Sequence, residues 1–189
     1  MPKDTFFNLP AEKREKIIQE ALIEFENNNF DRASINQIVI RSEISKGSFY
    51  QYFEDKKDLY KYLIQLMIEK KMAYITPAMM RPFDYGFFEV IREMNQMGLK
   101  FAKDHPHYTV IGNRLLKDNK TEMYQEIMKE NSGQAYAVYE HLLRKAIEKG
   151  EVRDDIDISF TARIIFKISA ELVESDFNLL ADDRDEKLM

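Results

Sequence analysis

The chain has 189 residues, of which 44% are hydrophobic and 32% charged, and these proportions are typical of a folded globular protein. It contains no cysteine, which excludes disulfides, thiolate metal sites and cysteine nucleophiles. The first residues include no apolar stretch long enough for a signal peptide, and no apolar run approaches the roughly 20 residues that a bilayer-spanning helix needs. We therefore expect a cytoplasmic protein without a membrane segment.

The net charge of −5 is unevenly distributed along the chain. Residues 1–75 carry 12 basic and 12 acidic side chains, so the whole excess of negative charge falls on residues 76–189. A neutral segment can still bind DNA when its cations share one face, whereas a protein that coats and compacts DNA is expected to be basic over its whole surface. The distribution therefore permits a DNA-binding N-terminal part and argues against an architectural DNA protein.

The first two predicted helices follow from apolar spacing and capping residues. An apolar stripe at helical spacing predicts a helix over residues 10–27, and three asparagines are expected to end it in left-handed geometry. A short helix over residues 35–41 follows. Ser34 is expected to be its N-cap, with Gln37 completing a capping box.

Two further helices complete a recognisable arrangement. Residues 42–44 form a short turn, Ser45 caps a helix over 46–53, and Asp55 caps a longer helix that extends towards residue 74. Two short helices joined by a three-residue turn and supported by a longer helix form a helix-turn-helix. Beyond Pro77 the chain reads as long helices, without sustained strand alternation. The sequence therefore predicts the all-α class.

The helix over 46–53 carries the chemistry that DNA recognition needs. Lys46 can reach a phosphate or a guanine edge, and Gly47 allows close approach of the backbone. Gln51 can contact adenine bidentately or can simply be solvated. Tyr50 and Tyr52 are expected to point outward with their hydroxyls, and helix N-termini present free N–H groups to phosphates. The predicted DNA contacts are Ser34, Ser45, Lys46, Gly47, Ser48, Tyr50, Gln51, Tyr52 and Lys56.

Residues 45–53 read Ser-Lys-Gly-Ser-Phe-Tyr-Gln-Tyr-Phe, and this run resembles the DNA-binding motif of TetR-family regulators. Residues 148–157 resemble, more weakly, the Gly-Glu-hydrophobic-Arg-x-Asp-x-Asp link before the last helix of that family. Two positions depart from the pattern. Glu43 stands where the family often has Gly in the turn, so it is expected in a left-handed position near phosphates, and Val39 stands where the family often has Ala.

The resemblance implies a homodimeric transcriptional regulator, more often a repressor, that binds a palindromic operator and a small-molecule effector. It divides the chain into a helix-turn-helix domain (1–55), a connecting helix (56–76) and a helical ligand-binding and dimerisation domain (77–189). The last two helices of each subunit would pack as a four-helix bundle. The apolar candidates for that interface are Leu142, Ala146, Ile164, Ile168 and Leu172.

The second domain is rich in Met and aromatic residues, which suit a permissive apolar pocket, although plain core packing explains the same spacing. The effector is expected to be small and largely hydrophobic. The candidate pocket residues are Phe87, Ile91, Met94, Phe101, Tyr108, Ile111, Met123, Ile127, Tyr136 and Phe166.

Other functions receive less support from the sequence. With three histidines and no cysteine, the chain has no Gly-rich phosphate loop and no metal-ligand spacing, so we expect no enzyme activity, cofactor or metal. His105 and His107 flank a proline and could suggest a metal site, but they are better explained as a turn between two helices. The alternative is an all-helical small-molecule-binding protein or enzyme without a DNA function.

Overall fold

The computed structural model describes residues 1–118 and 120–186, with the side chains of that range except at 83, 128, 130–135 and 177–186. The described residues form helices and no strand, which confirms the all-α class. The helices are α1 (Asp4–Phe7), α2 (Ala11–Asn27), α3 (Ile35–Arg41), α4 (Lys46–Tyr52), α5 (Lys56–Met72), α6 (Pro77–Met80), a 3₁₀ turn (Pro82–Asp84), α7 (Phe87–Asp104), α8 (Pro106–Lys117), α9 (Glu122–Glu148) and α10 (Ile158–Glu186). None of the described helices is long and apolar enough to cross a membrane.

The helix-turn-helix predicted from the sequence is present in α3 and α4. Ser45 caps α4, because its Oγ accepts a hydrogen bond from the backbone N–H of Ser48 at 2.9 Å. Asp55 caps α5 in the same way, accepting from the N–H of Asp58 at 2.8 Å. Each side chain satisfies a donor that a helix start leaves without an intrahelical partner. Both predicted caps are therefore confirmed.

Two other helix ends lie at the predicted residues, but the capping geometry predicted for them is wrong. Ser34 occupies the N-cap position of α3, but its side chain accepts no hydrogen bond. The Ser34 N–H, which Gln37 would have to bind in a capping box, donates instead to Glu24 Oε1 at 2.9 Å. Asn28 ends α2 in an extended conformation with φ −129°, because its Nδ2 reaches back to Glu24 Oε1 at 3.1 Å. The buried carboxylate of Glu24 thus takes the place of the predicted capping box at α3 and of the predicted left-handed end of α2.

The chain divides into two compact units. Unit 1 comprises Met1–Lys71 and Pro106–Met123, and unit 2 comprises Met72–His105 and the residues from Tyr124 onward. These units differ from the predicted domains divided at residues 55 and 76, because α8 packs on α2 in unit 1. The functional division into a DNA-binding and a ligand-binding domain stays a prediction. The core of unit 1 includes fully buried Phe25, Phe49 and Leu63.

The core of unit 2 joins α7, α9 and α10. It contains Phe87 and Val90 of α7 and Ala162 of α10. Leu142 and Ala146 of α9 also belong to it and are only 6% and 2% exposed. Because α9 turns this apolar face towards its own subunit, little of either side chain is left for a partner, and their role as dimer contacts stays a prediction.

Candidate nucleic-acid interface

Helix α4 presents a short polar surface. Lys46, Gly47 and Gln51 are exposed, and Tyr50 is 43% exposed. Ser45 and Ser48 pair through their hydroxyls at 2.8 Å at the start of the helix. On the opposite side, Phe49 is completely buried. The predicted DNA contacts on α4 therefore share one accessible face, with one exception.

Tyr52 is the exception, and its predicted outward orientation is wrong. Only 7% of this residue is exposed, and its ring lies 6.2 Å from that of Phe6. Residues three apart lie on the same side of a helix, so Tyr52 follows Phe49 into the core. Little of its side chain is therefore left for contact with DNA.

Lys56 serves the loop before α3 in this structure. Its Nζ donates to the backbone oxygens of Asp31 at 3.1 Å and Ala33 at 2.9 Å. The same ammonium lies 4.8 Å from the ring centroid of Phe30. These contacts hold the segment that leads into the helix-turn-helix. A phosphate contact by Lys56 stays a prediction that would compete with them.

A buried ion pair connects α2 to α3, and sequence reasoning missed it. Glu24 is 3% exposed, and its Oε2 lies 2.7 Å from Nη2 of Arg41. Arg41 Nε also lies 3.0 Å from Glu20 Oε2. With the bonds from Ser34 and Asn28, the Glu24 carboxylate ties together α2, the loop and both ends of α3. It holds α3, the first helix of the helix-turn-helix, against α2.

Glu43 occupies the left-handed position expected for it, with φ 55°. Its Oε2 lies 2.9 Å from Nζ of Lys16, and the hydrogen bond and charge of Lys16 lower the pKa of Glu43. The carboxylate is therefore ionised at neutral pH, beside the start of α4. A negative charge here opposes phosphate binding unless Lys16 stays paired with it.

Comparisons with known proteins decide the family. The model of "Bacterial regulatory proteins, tetR family" matches residues 17–63. A TetR family transcriptional regulator from Chloroflexus aurantiacus J-10-FL, solved as a crystal structure, is 37% identical over 93% of this chain and 80% of its own, with a TM-score of 0.75. The chain belongs to the TetR family. It is a DNA-binding transcriptional regulator, in a family of regulators that are not enzymes.

Other relatives agree with this assignment. The uncharacterized HTH-type transcriptional regulator YvdT of Bacillus subtilis is 26% identical over 92% of this chain and 84% of that protein. FadR from Bacillus subtilis, solved in complex with stearoyl-CoA, is 20% identical and covers 90% of this TetR-family chain and 88% of its own, with a TM-score of 0.67. At that identity, the likeness shows the shared fold alone.

The candidate pocket residues fall into both units of the TetR-family chain. Tyr108, Ile111 and Met123 belong to unit 1, and the other seven belong to unit 2. Met123 lines a cleft of about 370 Å³ within unit 1, and Ile91 lines a groove of about 390 Å³ within unit 2. Which of these residues meet an effector stays a prediction. The other candidates in unit 2 are Phe87, Met94, Phe101, Ile127, Tyr136 and Phe166.

The two histidines around Pro106 have structural partners. His107 Nδ1 lies 2.6 Å from Glu26 Oε2, which joins α8 to α2 within unit 1. The ring of His105 lies 4.9 Å from that of Phe101. Within residues 1–118 and 120–186, no three acidic or histidine side chains with described positions converge as metal ligands.

An apolar stripe on α10 is exposed. Phe160, Ile164, Ile168 and Leu172 follow one another at intervals of four, which places them along one side of the helix. They are 63%, 39%, 54% and 50% exposed. Contiguous apolar surface of this kind marks an interaction site. Three of the five predicted dimer contacts lie in this stripe.

Lys46 provides a direct test of the α4 surface. Lys46→Ala should weaken operator binding and reduce the dependence of log K on log salt by about one unit, because one phosphate contact is lost. The thermal midpoint should hardly change, since Lys46 is exposed. The measurement is operator affinity across a salt series, and an unchanged slope with normal affinity would contradict the contact.

Proposed function

We propose that the protein is a homodimeric repressor that is released from a palindromic operator by a small, largely hydrophobic effector. The apolar stripe on α10 carries the dimer in this proposal. A helix surface with four large apolar side chains is covered most simply by a second copy of itself, in a two-fold arrangement. The proposal places the protein in the cytoplasm, where the DNA of a bacterial cell lies.

Two-fold symmetry supports a palindromic operator. Each subunit carries one α4, and a two-fold axis relates the two copies, so they meet half-sites of inverted sequence. Half-sites in such complexes repeat at multiples of about 10–10.5 base pairs, because both helices must enter the major groove on one side of the duplex. The operator should therefore be an inverted repeat with that spacing.

The character of the effector is supported by the interior of unit 2. Phe166 of α10 packs against Tyr136 and Tyr139 of α9, with ring centroids 5.1 and 6.0 Å apart. Ile91 and Met94 of α7 lie against the same core. Aromatic and Met side chains of this kind adapt to apolar ligands, and tyrosine hydroxyls can anchor a polar end.

The names of relatives point in the same direction. The fatty acid metabolism regulator protein of Bacillus subtilis is 23% identical over 84% of this chain and 80% of that protein. FadR was solved with stearoyl-CoA. Fatty acyl thioesters are therefore the first class of effector to test.

The test measures the coupling between operator and effector. A duplex is first selected by the protein from a randomised library, and its affinity is then measured with and without saturating acyl-CoA of several chain lengths. Effector and operator should oppose each other by about 1–3 kcal/mol, or roughly 5–150-fold in affinity. Equal operator affinity with a bound effector would refute release, and selection of non-palindromic duplexes would refute the two-fold reading.

A further inference from the structure

The segment before the helix-turn-helix contacts the far end of α4. It consists of residues 3–6, called here the N-terminal clamp, and it lies outside the part of the chain that the family model matches. Lys3, Thr5 and Phe6 make its contacts. All of them fall within unit 1.

The N-terminal clamp satisfies the carbonyls that α4 leaves without partners. A helix ends with carbonyl groups that have no N–H ahead of them, and in α4 these belong to Tyr50, Gln51 and Tyr52. Lys3 donates its backbone N–H to Tyr52 O at 2.8 Å and its Nζ to Tyr50 O at 2.8 Å. The hydroxyl of Thr5 donates to the remaining carbonyl, that of Gln51.

The clamp is itself anchored by Phe6, which is completely buried. The Phe6 ring lies 4.9 Å from that of Phe53, which follows α4, and 5.6 Å from that of Tyr62 on α5. The donors on Lys3 and Thr5 are therefore held in place against α5 as well as against α4. Their positions do not depend on long, freely rotating side chains alone.

This geometry controls the orientation of α4. The helix has only seven residues, too few to be stable without its surroundings. Successive residues of a helix are about 100° apart around its axis, so the three hydrogen bonds reach the end of α4 at different points around that axis. Hydrogen bonds arranged in this way resist tilting of α4 in more than one direction. The Ser45 cap fixes the other end.

We propose that the N-terminal clamp positions α4 for specific DNA contact, with Lys3 and Thr5 as positioning residues that do not themselves touch DNA. This rests on the proposal that α4 contacts the operator. Base readout requires side chains to reach fixed atoms in the groove, whereas general attraction to phosphates tolerates a tilted helix. Loss of the clamp should therefore lower specificity more than it lowers overall affinity for DNA.

The test compares two duplexes, one selected by the wild-type protein from a randomised library and one with the same bases in scrambled order. Thr5→Val removes the hydroxyl and keeps the shape of the side chain. It should weaken binding to the selected duplex by about three- to tenfold, the value of one hydrogen bond, and leave the scrambled duplex and the salt slope unchanged. Thr5→Ser should restore binding. Circular dichroism at the assay temperature confirms that both variants are folded.

Lys3→Met and Lys46→Ala separate the possible failures. Lys3→Met should act like Thr5→Val, and a salt slope lowered by about one unit would instead make Lys3 a phosphate contact and overturn its positioning role.

If Lys46→Ala weakens binding and Thr5→Val does not, the clamp is refuted and the α4 surface stands. If neither variant alters binding, the assignment of α4 to DNA contact is itself refuted. Equal weakening of both duplexes by Thr5→Val would also overturn positioning. Lys129→Met, an exposed change in unit 2, controls for loss of a lysine charge.

Discussion

Ile168→Asp is expected to abolish the dimer and to weaken operator binding by about 100-fold or more. Ile168 lies in the middle of the exposed stripe on α10 and is itself 54% exposed. In a two-fold interface, each subunit would bring a carboxylate into apolar contact without a partner, at a high desolvation cost. Monomers lose the gain that two linked DNA contacts provide, which commonly amounts to 10²–10⁴ in affinity.

The measurement is sedimentation at micromolar concentration, followed by titration of a selected duplex. Arg163→Asp is the matched control, because it introduces the same side chain on α10 at an exposed position outside the stripe. The control should remain dimeric. Since Ile168 contributes little to the core of its own subunit, the variant should keep its helical circular dichroism. A dimer that survives Ile168→Asp would show that α10 does not form the interface through this stripe.

Glu24→Ala should lower the free energy of unfolding by about 3 kcal/mol. Removing one member of a buried ion pair leaves the other charge without compensation, which typically costs 3–5 kcal/mol. The lower end of this range applies because the Arg41 side chain is 34% exposed. The substitution also leaves the N–H of Ser34 without its acceptor. Chemical denaturation followed by circular dichroism measures the loss.

Glu20→Ala is the control for this experiment. Glu20 pairs with the same arginine, at 3.0 Å, but its side chain is 22% exposed and it receives no bond from the Ser34 N–H. The pair is closer to a surface ion pair, so its loss should cost about 1 kcal/mol or less. If both variants lose the same stability, the buried network around Glu24 does not have the structural importance inferred from it.

Local signals were sufficient for the elements of the helix-turn-helix. Ser45 and Asp55 each cap the helix that follows, within three residues of their own position, so their effect can be read from the chain directly. The left-handed conformation of Glu43 was expected instead from the family resemblance, since the family often has Gly at that position. The geometry of a cap depends on the few residues around it, and both cap predictions therefore held.

The failures arose where distant residues compete for the same groups. The N–H of Ser34 is taken by Glu24, which lies at the edge of the apolar stripe of α2 and could have been noticed there as a charge next to Phe25. Tyr52 turns inward because it lies three residues after buried Phe49, which helical spacing could have indicated, whereas its ring contact with Phe6 could not be read from the chain. Neither partner can be identified from spacing alone, because the chain must fold before they meet.

The burial of two of the five candidate dimer contacts was missed for a different reason. Leu142 and Ala146 are apolar at helical spacing, as are Ile164 and Ile168, and periodicity cannot distinguish a face that meets its own subunit from one that meets a partner. Only burial within the subunit separates the two. The pocket prediction has the same weakness, because an apolar lining and an apolar core have the same spacing.

Unit 1 is built from two separate segments of the chain, which limits how a DNA-binding domain of this kind can be exchanged between relatives. Residues 106–123 are inserted into unit 1 from later in the chain. Arg114 donates from α8 to the backbone oxygen of Phe25 at 3.2 Å, and α8 covers part of α2. A chimera with a single junction after α5 would combine the DNA-binding domain of one relative with the α8 of another and break these contacts. Functional chimeras should therefore need further junctions on either side of α8, so that α8 comes from the same protein as the DNA-binding domain.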